Sequence, residues 1–425
     1  MMFSECIVDS KGKGLRANKP FVQGELVGTE KPFAFVVEQK WRTSVCHECL
    51  KIPSSLLRCS LCKFARYCGR DCQRLAWTEH KRECESLHRV APRVPTETAR
   101  FVARILHKLW NSTDEECKRR LESLCYHDEM DKQSEKEFAE LIQTVNVFVG
   151  QSLQVDHMTS LYQKIRCNSF SVCNEEMQVI GVGLYLKFSL INHSCRPNCV
   201  ATFCGPTVQI RAVHSIKKDE ELTISYIELL QPISHRQKAL WEQYHFLCDC
   251  CGCVSEEAVK QDKLHTSGYD ATVPARQVAD ALEMCQSSLE KAKEAAREGD
   301  HRRSLQLAEM TFESYSRVIH PCSYIVIQCA DRAMDSCIEL GEWDGALKYG
   351  LQSLDGYKFW YSCYNPLLAV QLFRVGKLQR YIGRHSDAVR SLQLAVSALE
   401  VSHGCEHPLT LTCREMLWQT CQEAV

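Results

Sequence analysis

Long hydrophobic runs are missing from this chain. Among its 425 residues there is no stretch of about eighteen consecutive apolar residues, so no segment has the composition of a membrane-spanning helix. The opening residues, MMFSECIVDSKGKGLRA, lack the apolar core and cleavage site of a secretory leader, and no signal peptide is expected. An excess of charge of either sign is also missing. Lys+Arg number 52 and Asp+Glu 53, so bulk electrostatics single out neither nucleic acid nor an acidic partner. Glycine and proline are sparse, at 19 and 12, which excludes a collagen-like chain. With 45% hydrophobic and 25% charged residues, disorder as the main state is excluded and several cores are expected, at roughly 150 residues per domain.

Cysteine is what the chain has in excess, 27 residues in all. An odd number of thiols in tight pairs, with no leader expected, fits metal ligation in a reducing compartment better than a disulfide framework. The first cluster runs Cys46-x2-Cys49-x9-Cys59-x2-Cys62-x5-Cys68-x3-Cys72-x7-His80-x3-Cys84. Zinc takes four tetrahedral nitrogen or sulfur ligands, so eight such residues predict two closed sites. Two knuckles followed by two pairs spaced by four, each on one helix face, predict an interleaved arrangement. One site takes Cys46, Cys49, Cys68 and Cys72; the other takes Cys59, Cys62, His80 and Cys84. The second cluster is Cys248, Cys250, Cys251 and Cys253. So short a segment does not easily wrap all four thiolates around one ion, so a distant fourth ligand is expected, with Cys195 the candidate and Cys251 a spare.

Residues 46–89 carry nine Lys/Arg and five Asp/Glu. Seven thiolates and two zinc ions would bring the assembled module to about +1, so DNA binding is weakly supported and a peptide partner or a structural role fits at least as well.

Alternating patterns over residues 1–45 predict strands, with turns at Gly12-Lys13-Gly14 and Val22–Glu25. Residues 96–165 read as helical, from apolar spacings such as Phe101, Val102, Ile105, Leu106 and Leu109. Short β-like runs return after residue 166, and the polar stretch 254–273 reads as a linker or loop. Gly299, Gly341 and Gly383 recur at intervals of 42, in register with Ser304, Ala346 and Ala388, and Pro321, Pro366 and Pro408 punctuate the ends. This repeat predicts an α-solenoid of tetratricopeptide (TPR) type, offering either a concave binding surface or plain helical packing.

The remaining motifs are Cys167-Asn168-Ser169-Phe170, Asn192-His193-Ser194-Cys195-Arg196-Pro197-Asn198 and Glu221-Leu222-Thr223-Ile224-Ser225-Tyr226. With the finger spacing and the Cys248–Cys253 cluster, the chain resembles the SMYD family, SET and MYND domain-containing protein-lysine methyltransferases. The resemblance covers nearly the whole chain. It implies an α+β fold: the N-terminal part of a split SET core at 1–45, a MYND finger at 46–84 and a helical insert at 85–165. The core SET follows at 166–235, a post-SET zinc segment at 236–255 and TPR-like helices at 256–425.

The resemblance further implies transfer of a methyl group from S-adenosylmethionine to a protein lysine, on histone tails or cytosolic proteins. Tyr226 matches the active-site tyrosine. Lys11, Gly12, Lys13, His127, Asn168, Asn192, His193, Tyr226, Tyr244 and Phe246 are the implied cofactor contacts, with Lys13 standing where some relatives carry Asn. Phe170, Tyr226 and Tyr244 are the implied walls of the lysine channel. Three zinc ions are expected, the third held by Cys195, Cys248, Cys250 and Cys253. A monomer in cytoplasm and nucleus is expected, with peptide partners on the finger or repeats and no membrane. The alternative is a catalytically idle adaptor in transcriptional regulation, built on the same SET and MYND folds.

Overall fold

The computed structural model describes residues 2–9, 11–111, 113–127, 130 and 132–424. The chain opens with strands β1 (Phe3–Val8), β2 (Gly12–Ala17), β3 (Leu26–Glu30) and β4 (Ala34–Val37). The cysteine-rich segment follows, with short strands β5 (Leu57–Arg58) and β6 (Arg66–Tyr67) and helix α1 (Arg70–Val90). Helices α2 (Glu97–Asn111), α3 (Glu115–Glu122), α4 (Lys132–Val149) and α5 (Val155–Asn168) come next. Strands resume with β7 (Ser169–Cys173), β8 (Val179–Leu184), β9 (Asn192–His193), β10 (Cys199–Cys204), β11 (Thr207–Ala212) and β12 (Thr223–Ile224).

The strands before the finger pair with strands after it. β3 joins a sheet ordered β10-β11-β3, and β4 joins one ordered β4-β8-β7, with Ala34 opposite Leu184 and Val37 opposite Gly181. All four residues of β4 are buried. They share one apolar core with Leu15, Val27, Val172, Ile180, Leu184 and Ile210. Burying each such large aliphatic side chain stabilises by about 1.5–3 kcal/mol, so the sheet closes across the long insertion between its strands. The α+β reading holds.

Two details differ from the sequence reading. Gly12 begins β2, with a φ of +77°, and the hairpin turn precedes it, where the Lys11 N–H donates to Val8 O at 3.1 Å. Residues 254–273 are not a simple linker. Past α6 (Ile233–Tyr244) they hold the end of α7 (Cys251–Val254), then α8 (Glu256–Asp262) and a 3₁₀ turn at Lys263–Thr266. The Ser255 hydroxyl accepts from the Ala258 N–H, a helix start that polarity alone does not reveal.

A buried charge cluster seats the finger on the sheet. Glu83 of α1 faces Arg100 (3.0 Å) and Arg104 (2.6 Å) of α2. Arg104 also donates to Phe35 O at 2.6 Å, on β4. The two guanidiniums hold the Glu83 carboxyl well below the usual carboxylate range, against the effect of its burial.

The C-terminal helices are α9 (Ala275–Arg297), α10 (His301–Tyr315), α11 (Tyr324–Leu340), α12 (Trp343–Trp360), α13 (Pro366–Tyr381), α14 (His385–Ser402) and α15 (Pro408–Glu423). Gly299, Gly341 and Gly383 lie between paired helices with φ of +82°, +73° and +81°, the left-handed turn that favours glycine. Ser304, Ala346 and Ala388 are fully buried, so the 42-residue period records where helices pack closely. Among the described residues no helix is long and apolar enough to cross a membrane.

Candidate active site and metal centres

Parallel pairing of β9 with β12 sets Thr223 beside Asn192 and Ile224 beside His193. This brings together two motifs about thirty residues apart in sequence. The Tyr226 N–H then donates to His193 Nδ1 at 3.0 Å, and the Tyr226 hydroxyl donates to Ile191 O at 2.5 Å. Burial pushes the Tyr226 phenol far above its ordinary value, and Tyr244 is pushed up to about 12. Both stay neutral near pH 7, so neither phenol is poised as a base.

A cavity of about 390 Å³ opens beside them. Lys11, Lys13, His127, Asn168, Asn192, His193, Tyr226, Tyr244 and Phe246 all line it. The rings of Tyr226 and Tyr244 lie 4.8 Å apart, and the His193 ring is 5.3 Å from Tyr226 and 6.0 Å from Phe246. Gly12, the first residue of β2, lies between Lys11 and Lys13 in sequence but is not among the lining residues. His127 is exposed at the cavity, its ring 5.1 Å from that of His245. Phe170 is not among the lining residues; it sits on β7 with its ring 5.4 Å from that of Tyr185.

The polar wall is held from behind. Asn168 Nδ2 donates to Cys125 O and Lys164 O, both at 2.8 Å, tying the loop after α3 to the end of α5. Lys13 Nζ donates to Ser123 O at 3.0 Å on the same loop. Glu221 was not singled out by the sequence reading, yet it organises the opposite edge. One carboxylate oxygen accepts from Asn192 Nδ2 at 2.9 Å and the other pairs with Lys11 Nζ at 2.9 Å. A Cβ at position 14 would lie 2.7 Å from Asn192 Nδ2, so the glycine at this position of β2 admits that side chain.

Three groups of four residues gather their ligand atoms within 4.8 Å of one another: Cys46, Cys49, Cys68 and Cys72; Cys59, Cys62, His80 and Cys84; Cys195, Cys248, Cys250 and Cys253. Zinc bound to sulfur at ~2.3 Å spaces its ligands by about 3.8 Å around a tetrahedron. Separations of 3.7 Å (Cys49–Cys68), 3.6 Å (Cys59–Cys84) and 3.4 Å (Cys195–Cys253) are close to that edge, so the donor sets fit zinc. Cys251 is exposed and belongs to none of the groups.

Residues 12–227 match the SET domain family. Human histone-lysine N-methyltransferase SMYD3 is 35% identical over 94% of this chain and 93% of its own length. The chain belongs to the SMYD family. Two other members are zebrafish N-lysine methyltransferase SMYD2-A, 28% identical over 94% of this chain and 93% of its own, and human SMYD2, 29% identical over 94% of each.

In this SMYD chain the third metal group adjoins the cavity. The His193 Nε2 lies 3.3 Å from Cys195 Sγ, while Nδ1 accepts from the Tyr226 backbone. Because Nδ1 accepts, the proton sits on Nε2, facing the Cys195 sulfur. Leu247 and Cys248 line the cavity directly after Phe246, so the metal-binding segment is continuous with the aromatic wall. Glu221 and His193 both stand in the motif strings; that Glu221 touches Lys11 and Asn192, and His193 touches Cys195 and Tyr226, depends on contacts that linear spacing does not encode.

Proposed function

We propose that the 390 Å³ cavity is the cofactor site at which this protein-lysine N-methyltransferase works, and that it takes S-adenosylmethionine. The observation that carries the reading is the β9–β12 pairing, which sets Asn192, His193 and Tyr226 around one space. The donor set suits such a ligand: the Lys11 and Lys13 ammonium groups for a carboxylate, and the Tyr226, Tyr244 and Phe246 faces for a sulfonium cation. Bound there, S-adenosylmethionine supplies the methyl group, which a lysine amine accepts.

A free lysine, with pKa near 10.4, is only about 0.1% neutral at pH 7.4. An apolar passage disfavours the ammonium and lowers that value. The Tyr226 phenol orients the amine, and the aromatic walls exclude water and align the reacting atoms. Phe170, on β7 against Tyr185, is the further channel residue in this reading. The three cysteine groups hold zinc, two in the finger and one after the SET core. Histone tails and cytosolic proteins are the substrates in view, met by a monomer in nucleus and cytoplasm. An idle adaptor would be expected to have lost cavity residues, and all five of Asn168, Asn192, His193, Tyr226 and Phe246 are present.

Calorimetry with S-adenosylmethionine and methyl transfer to a peptide library test this. Uptake of the cofactor together with labelled lysine supports it; no uptake by the zinc-loaded protein overturns it.

A further inference from the structure

Away from the cofactor cavity, two hollows meet where the finger helix α1 packs beside the helical insert. One, of about 440 Å³, is lined by Lys81, Arg82, Glu85 and Arg89 of α1 and by His107 of α2. The other, of about 570 Å³, is lined by Leu106, Leu109, Leu121, Leu153, Met158 and Leu161. Trp110 and Gln151 line both, so they form one composite groove with a basic end and an apolar end.

The basic end carries charge that no ion pair offsets. Lys81, Arg82 and Arg89 have no carboxylate partner within ion-pair distance among the described residues. Arg82 donates to Asn111 Oδ1, and Arg89 donates to Phe148 O at 2.5 Å. With Glu85 the hollow is net +2. Both ring nitrogens of His107 are buried without a hydrogen-bond partner. The Trp110 indole stands edge-on to that ring at 5.4 Å and is 43% exposed.

We propose that this groove docks a phosphorylated segment of a protein partner. A phosphoserine or phosphothreonine carries close to two negative charges at pH 7, which match the net charge of the basic hollow. A large apolar side chain a few residues away would fill the leucine-lined hollow across Trp110. A nucleic acid fits less well. It needs an extended basic track and flat stacking faces. Here Lys81, Arg82 and Arg89 are grouped at one end, the two lysines of the second hollow are engaged, Lys118 with Glu115 at 2.9 Å and Lys164 with Glu122 O at 2.8 Å, and the finger as a whole is near neutral once its zinc ions are counted.

The test uses the full zinc-loaded chain and fluorescent peptides with a leucine two or three residues from either phosphoserine or serine. The phosphorylated form should bind at least about tenfold more tightly and change Trp110 fluorescence. Lys81→Glu with Arg82→Glu should abolish that preference while zinc content and methyl transfer stay unchanged. Trp110→Ala should weaken both peptide forms. Equal binding of phosphorylated and unphosphorylated peptides would overturn the proposal, as would indifference to the charge reversals. Tighter binding of a short single-stranded oligonucleotide, with a steep salt dependence, would overturn it in favour of nucleic acid.

Discussion

His193 accepts a hydrogen bond from the Tyr226 backbone N–H at 3.0 Å, and its other ring nitrogen lies 3.3 Å from Cys195, a residue of the third metal group. One buried imidazole thus spans from the metal group to the tyrosine at the cavity. Ligand-side hydrogen bonds of this kind fix both the thiolate and the ring. The four-cysteine group and the cavity are therefore mechanically coupled, and removing an ion bound there should disorder both.

Elemental analysis should find three zinc ions per chain. Cys253→Ala should lower this to two and weaken cofactor binding, read by calorimetry. Cys251→Ser should leave the count at three, because Cys251 is exposed and outside the ligand group.

Tyr226→Phe removes the hydroxyl that donates to Ile191 O. Methyl transfer should fall by roughly 10²–10³-fold, the scale of a lost orienting group in an active site. Zinc content should not change, and unfolding free energy should drop by only about 1–2 kcal/mol. A radiolabelled methyl assay beside urea unfolding separates the two effects.

Glu221→Gln should act on binding more than on turnover. Its carboxylate joins Lys11 to Asn192, with a 2.9 Å contact to each. Neutralising it frees Lys11 and leaves Asn192 less firmly oriented. The KM for S-adenosylmethionine should rise about tenfold, equivalent to ~1.4 kcal/mol, with kcat changed less. Equal losses in kcat and kcat/KM would show that Glu221 acts in the transition state instead.

Glu83→Ala leaves Arg100 and Arg104 buried without their shared carboxylate. Breaking such a cluster costs about 3–5 kcal/mol, and the thermal unfolding of the finger and insert should move down accordingly. Replacing the whole cluster with apolar residues of similar volume should cost much less.

Asp331 sets a pH dependence in the repeats. Burial raises its carboxyl to about 6, although the Tyr357 hydroxyl donates to it at 2.7 Å. The folded state binds this proton more tightly than the unfolded one. Stability should therefore be highest below about pH 4 for this group and decline as pH rises through 6. Asp331→Asn should remove that slope and stabilise the protein at pH 7.5 by on the order of 1–2 kcal/mol, measured as unfolding midpoints across pH.

Much of the architecture was legible because it is written in short spacings. CxxC knuckles, pairs spaced by four on a helix and a glycine every 42 residues each describe a local geometry. The ligand sets gather as their spacing implies, and the repeat glycines adopt the left-handed turn. The polar stretch after residue 254 misled for the same reason: an exposed short helix has little apolar periodicity to display.

By itself, then, the sequence determined the metal groups, the repeat and the family to which the chain belongs, since these depend on near neighbours and on motif strings. Tertiary structure decided that Glu221 braces Lys11 and Asn192, that His193 faces both a thiol and Tyr226, and that Phe170 packs against Tyr185 and does not line the cavity. It also decided that a basic hollow and an apolar hollow share Trp110. The physical reason is that strand register and helix packing are chosen by burying apolar surface over the whole chain. Polar contacts between residues from about thirty to two hundred positions apart, such as Asn192 with Glu221 and Lys11 with Glu221, follow from that choice and leave no local trace.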